Sequence, residues 1–136
     1  MKLSAKAEYA CLAMIELAKR SPGDPPARIH EIAENHKIPE RYLVQILLQL
    51  KGAGLVTSVR GSSGGYYLAK PSDSIVLMDV LTAIDGPATE LREREGPTAK
   101  ALANVWASLI AAEQEILCGT TIAKLAADDA PQEWTI

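Results

Sequence analysis

The sequence predicts a mainly α fold with one small β-hairpin: a winged helix-turn-helix followed by a long C-terminal helix. Three observations predict it. A short apolar-patterned helix, a tight turn and a longer helix occupy residues 29 to 54. A Gly/Ser-rich hairpin, Leu55-Val-Thr-Ser-Val-Arg-Gly-Ser-Ser-Gly-Gly-Tyr-Tyr-Leu-Ala69, follows at once with Arg60 at its tip. An Ala-rich helical pattern at residues 98 to 117 then lies far in sequence from that core.

The first helix starts at Ser4, a residue type suited to N-capping. The apolar residues Ala7, Ala10, Cys11, Met14, Leu17 and Ala18 recur at three- and four-residue steps to about Arg20. Lys19 and Arg20 fall in the expected last turn, where positive charge complements the helix dipole. Ser21-Pro-Gly-Asp-Pro-Pro26 stops the helix. Ile29 to Asn35 forms the second helix, with Ile29, Ile32 and Ala33 inward. Pro39 opens the third in its first turn, where a missing N–H costs nothing. Tyr42, Leu43, Ile46, Leu47 and Leu50 supply its buried stripe, and Gly52 and Gly54 mark its end.

In the hairpin, Leu55, Val56 and Val59 on one arm and Tyr66, Tyr67 and Leu68 on the other are strand formers. Gly61-Ser62-Ser63-Gly64-Gly65 between them accepts positive φ and close backbone approach to a partner. Ile75 to Ile84 reads as a helix packed on this domain and ended by Asp85-Gly86-Pro87. Ala88 to Pro97 is a charged connector. Thr98 caps the long helix, whose stripe is Leu102, Val105, Trp106, Leu109, Ile110, Ile116 and Leu117. A short helix over 120–127 and a loose acidic tail complete the chain. The expected organisation is a winged-helix domain at 1–87, a connector at 88–97, a dimerisation helix with a short terminal helix at 98–127, and a tail at 128–136.

The net charge is −3, but it is unevenly spread. Residues 1–70 hold ten Lys/Arg and six Asp/Glu; residues 71–136 hold four and eleven. That asymmetry points the first half at a polyanion. With no signal peptide and no membrane-spanning run, a soluble, cytoplasmic chain without membrane contact is expected. The two cysteines, Cys11 and Cys118, lack CxxC spacing and sit in helical patterns, which suggests buried thiols. His30 and His36 have no nucleophile set at a recognisable spacing, so no enzyme is expected.

These elements point to double-stranded DNA. The N-terminal residues of the second helix of such a motif meet base edges in the major groove. Here those are Pro39, Glu40, Arg41, Tyr42, Val44 and Gln45, with Lys37 nearby; Arg41 suits guanine or phosphate and Gln45 suits adenine. Arg60 suits a narrow, A·T-rich minor groove, and the neighbouring Gly61, Ser62, Ser63, Gly64, Gly65 and Tyr66 surround it. Ser4, with Lys2 and Lys6, could direct N–H groups at phosphate, although plain capping explains Ser4 as well. The 102–117 stripe supplies a contact with a second copy, bringing two readers to two half-sites.

Met1-Lys-Leu-Ser4-Ala-Lys-Ala-Glu-Tyr9-Ala10, Glu31-Ile-Ala33, Tyr42-Leu-Val-Gln45, Gly54-Leu-Val-Thr-Ser-Val-Arg-Gly61 and Gly64-Gly65-Tyr66 together resemble the IscR/NsrR/CymR-type regulators, the Rrf-two family. The resemblance is strong to Pro87 and looser beyond. It implies a homodimeric bacterial transcription regulator, with a protein partner, a thiol change or a small ligand as effector. Its iron–sulfur members use three connector cysteines, whereas 88–102 here contains none, so the resemblance is to the cluster-free branch and no cofactor is expected. Glu8 and His36 match positions that serve some members as ligands, and with Cys118 they leave a metal or redox sensor as an alternative. A protein-interaction module that does not bind DNA is a second alternative. The family commonly carries Glu where Val44 stands, which implies a different operator preference here.

Overall fold

The computed structural model describes residues 3–62, 64–87 and 94–128. Lys2, Ser63, most of the expected connector and the tail beyond Asp128 lie outside those residues.

Among the described residues, six helices and one hairpin form in the expected order. Helix α1 spans Ala5–Ala18, α2 Ile29–His36 and α3 Glu40–Gly52. Strands β1 (Val56–Val59) and β2 (Gly65–Leu68) follow, then a 3-10 turn at Ser72–Ser74. Helices α4 (Leu77–Asp85), α5 (Pro97–Gly119) and α6 (Ile122–Asp128) complete the chain. The strands pair antiparallel with Val56 opposite Leu68 and Val59 opposite Gly65.

One aliphatic cluster holds these elements. Met14 of α1, Ile32 of α2, Leu43, Ile46, Leu47 and Leu50 of α3, Ile75, Val80 of α4 and Ile122 of α6 are fully buried. With no Phe in the chain, interlocking branched side chains fill this space. Ala7, Ala10 and Ala13 on the inner face of α1 are also fully buried. Their small side chains let α3, α4 and α6 approach α1 closely.

Several local expectations are corrected. Lys19 and Arg20 lie beyond α1 rather than in its last turn; Lys19 is the C-cap residue. Arg20 instead turns back to the Pro25 carbonyl at 3.3 Å and the Glu31 carboxylate at 2.9 Å. Pro39 is the N-cap of α3, one position before its first turn. Tyr42 is not part of the buried stripe: it is 51% exposed, because one residue's rotation swings it away from Leu43. Gly96 caps α5 and Pro97 is its first residue, so Thr98 is not the cap. Cys118 is exposed, on a helix that buries no residue within the protomer, while Cys11 is half-buried.

The end of the chain returns to its beginning. Val76 and Thr121 form an antiparallel bridge, with Leu77 N–H donating to Thr120 O at 3.0 Å and Ile122 N–H to Ile75 O at 2.9 Å. That bridge seats α6 against α1 and pins the C-terminal end of α5 beside α4.

Candidate nucleic-acid interface

The turn between α2 and α3 sets the pose of α3. Lys37 adopts the left-handed conformation (φ 54, ψ 45), which lets Ile38 N–H reach Ala33 O at 2.9 Å and close α2. Ile38 is then buried, and α3 leaves at an angle with Leu43, Ile46, Leu47 and Leu50 inward. Its opposite face carries Glu40, Arg41, Gln45 and Leu48, all exposed, with Val44 half-buried at the edge. The Arg41 guanidinium lies 5.2 Å from the centre of the Tyr42 ring, an exposed cation–π contact that helps orient it.

The hairpin stands beside this face. Arg60 is exposed immediately after β1, and Gly61 has φ +108, a conformation that favours glycine. Gly64 N–H closes the turn on Gly61 O at 2.9 Å. The two later glycines serve the fold itself: a Cβ at Gly64 would strike the carbonyl oxygen of Val59, and one at Gly65 that of Ala27. Ala27 and Tyr66 exchange backbone hydrogen bonds at 3.0 and 2.8 Å, adding a third extended segment to the hairpin. Tyr66 is partly buried at this root, and Tyr67 Oη donates to Asp24 O at 2.7 Å.

Two cations brace the hairpin. Arg28 Nη2 donates to Ser62 O at 2.7 Å, and Lys51 Nζ donates to Ser58 Oγ at 2.7 Å. A cleft of about 310 Å³ separates hairpin from helices, edged by Arg28, His30, Glu40, Ser58, Gly61 and Ser62. Arg28, Leu48 and Lys51 were not anticipated from sequence. Leu48 had a readable signal, since it falls three residues after Gln45 on the outward face. Arg28 had none, because its partner lies 34 residues away.

At the other end of the domain, Ser4 is the cap of α1. Its Oγ accepts from Ala7 N–H at 3.0 Å and donates to the Asp85 carboxylate at 3.3 Å. That carboxylate reduces what this helix end offers a phosphate. Lys6 is exposed in the first turn.

The alternative sensor set is not assembled. Glu8 is exposed on α1, His36 Nε2 lies 3.3 Å from Glu16 Oε2, and Cys118 lies in the last turn of α5. Among the described residues no group of three His, Cys, Asp or Glu side chains could hold a metal ion. Burial, aided by the charge of Glu8, pushes the Cys11 thiol up to about 11, which disfavours the thiolate that iron requires. With only two cysteines in the chain, the residues present do not fit an iron–sulfur cluster.

On α5, Leu102, Val105, Trp106, Leu109 and Ile116 are exposed, whereas Ile110 and Leu117 are half-buried, Leu117 against the core. The expected stripe therefore divides into an inner edge and an open apolar face. No helix among the described residues is long and apolar enough to cross a membrane.

Comparison with known proteins agrees with this architecture. A family model described as Rrf2, iron-dependent transcriptional regulator, matches residues 3–128. The HTH-type transcriptional regulator CymR of Bacillus subtilis is 38% identical, with 98% of this chain and 96% of CymR covered. IscR of Sodalis glossinidius is 37% identical, with 95% and 81% covered. Among solved structures, CymR of B. subtilis, described as its global cysteine regulator, superposes with a TM-score of 0.84 at 37% identity, covering 94% of this chain and 98% of that one. The oxidized form of Staphylococcus aureus CymR gives 0.81 at 34%, covering 98% and 100%. T. potens IscR gives 0.80 at 31%, covering 98% and 94%.

Proposed function

The chain belongs to the Rrf2 family of winged-helix, DNA-binding transcriptional regulators, and on that premise we propose that it is a homodimeric repressor reading a pseudo-palindromic operator. The observation that carries the reading is the pairing of the outward face of α3 with the braced Arg60 finger beside it. Helix α3 enters the major groove, where Glu40, Arg41, Val44 and Gln45 face base edges. Arg60 enters the adjacent minor groove, while the N–H groups of Gly61 and Ser62 meet phosphate. Lys6 and Lys37 add phosphate contacts. Residues 1–87 act as the reading domain and 98–127 as the arm that joins two copies. The open face of α5, with Leu102, Val105, Trp106, Leu109 and Ile116, packs on its equivalent and sets two readers on one side of the duplex. The regulator works without an iron–sulfur cluster and answers to a small molecule, a protein partner or a thiol change.

A mobility-shift titration against fragments selected from the source genome tests this. Affinity falls steeply with salt as phosphate contacts release counterions. Arg60→Ala weakens binding by about 1–3 kcal/mol and relaxes preference near the half-site ends. Unchanged affinity in that variant would remove the finger from the mechanism.

A further inference from the structure

Leu48 stands on the wrong side of α3 for a core residue. At 100° per residue, Leu43, Ile46, Leu47 and Leu50 converge on one side, and Leu48 points away from them, between Val44 and Arg41. It is 52% exposed. Val44, half-buried, lies one turn earlier on the same flank, so the two form an apolar step within a face otherwise made of Glu40, Arg41, Gln45 and Lys51. That face is too small and too polar for a protein-docking patch. It is continuous with the hairpin through the Lys51–Ser58 hydrogen bond.

We propose that Val44 and Leu48 read the 5-methyl groups of two nearby thymines, making Leu48 a specificity-determining residue. The inference rests on the DNA-binding reading above and extends it to base preference. The thymine methyl is the bulky apolar mark of the major groove, where the bases otherwise present mainly hydrogen-bond donors and acceptors. An aliphatic side chain cannot answer those groups, but it gains by covering the methyl. Residues four apart on a helix are displaced by about 6 Å along its axis. With base pairs spaced by about 3.4 Å, the two side chains suit methyl groups one or two steps apart. Arg41 and Gln45 on the same face then contact the flanking bases.

The test uses a duplex selected by the intact protein from a random pool. Each thymine is replaced singly by uracil, which removes only the methyl. One or two replacements should weaken binding by a factor of about four each, the value of one buried methyl-sized group. Leu48→Ala, an exposed substitution that favours helix, should abolish the sensitivity at one of those positions. Val44→Ala should do so at the other. A protein that binds the duplex but ignores every replacement overturns the inference and leaves DNA reading intact. Sensitivity that persists in both variants overturns the assignment to these residues. Failure to bind any duplex overturns the DNA-binding reading itself, and the inference with it.

Discussion

The guanidinium of Arg28 donates to the carbonyl oxygen of Ser62 at 2.7 Å, tying the residue that precedes α2 to the tip of the hairpin. A Gly-rich finger of four-residue strands would otherwise be free to sway. Arg28→Ala is therefore expected to weaken DNA binding by about 1 kcal/mol, the worth of one exposed charged hydrogen bond. Arg28 makes no side-chain cap on α2, so global stability should hold within about 0.5 kcal/mol. Fluorescence anisotropy measures the first, and faster exchange of the Gly64 amide reports the loosened tip.

Val44→Glu places a carboxylate acceptor at the edge of the outward face of α3. The expected outcome is a gain of preference for cytosine at one operator position, worth about 1–3 kcal/mol against other bases. Sequencing of selected fragments, compared with the parent protein, checks it.

Leu109 is 46% exposed on the open face of α5. Leu109→Arg puts a charge where the proposed partner helix packs and should yield a monomer by sedimentation velocity with an unchanged circular dichroism spectrum. Affinity for a two-half-site fragment should fall at least tenfold, toward that for a single half-site.

Glu16 links α1 to the end of α2, accepting from Asn35 Nδ2 at 2.8 Å and facing His36 Nε2 at 3.3 Å. Burial pushes its carboxyl upward, but the hydrogen bonds of Asn35 and His36, with the charges of His36 and Lys19, outweigh this and hold it below the ordinary glutamate value. A carboxylate lowered in the folded state adds stability that is complete above the unfolded pKa of about 4.3 and is lost as pH falls through the folded one. Urea midpoints should thus decline below about pH 5, and Glu16→Gln should flatten that decline.

The two thiols should react in order. Iodoacetamide at pH 8 is expected to label exposed Cys118, while Cys11, half-buried with its thiol raised to about 11, labels only on unfolding. Intact-mass spectrometry follows both. Labelling of Cys11 first would contradict the packing of α1.

Much of this architecture was legible because its signals are local. The stripes of α1 and α3, the Gly/Ser hairpin with Arg60 and the break at Asp85-Gly86-Pro87 each sit within a few residues of one another. Tyr42 was misplaced because an aromatic beside Leu43 reads as core, although a single step of helical rotation brings it outside. Cys118 was misplaced because an apolar helical pattern reads as burial, whereas α5 buries no residue and leaves this thiol exposed. The Arg28–Ser62 tie and the Val76–Thr121 bridge depend on chain segments that meet only after folding. Leu48 belongs to neither the buried stripe nor the outward face expected from the sequence, although its angular position beside Arg41 is itself a local signal.

The Val76–Thr121 bridge gives α5 a fixed phase relative to the reading domain. Its C-terminal end is clamped by backbone hydrogen bonds at 3.0 and 2.9 Å, so its azimuth is set by the number of residues between that clamp and its apolar face. Deleting one residue between Leu117 and Thr120 would turn Leu102, Val105 and Leu109 by about 100° about the axis. The molecule is thus geared from its far end: the clamp near the C-terminus dictates which way the arm faces.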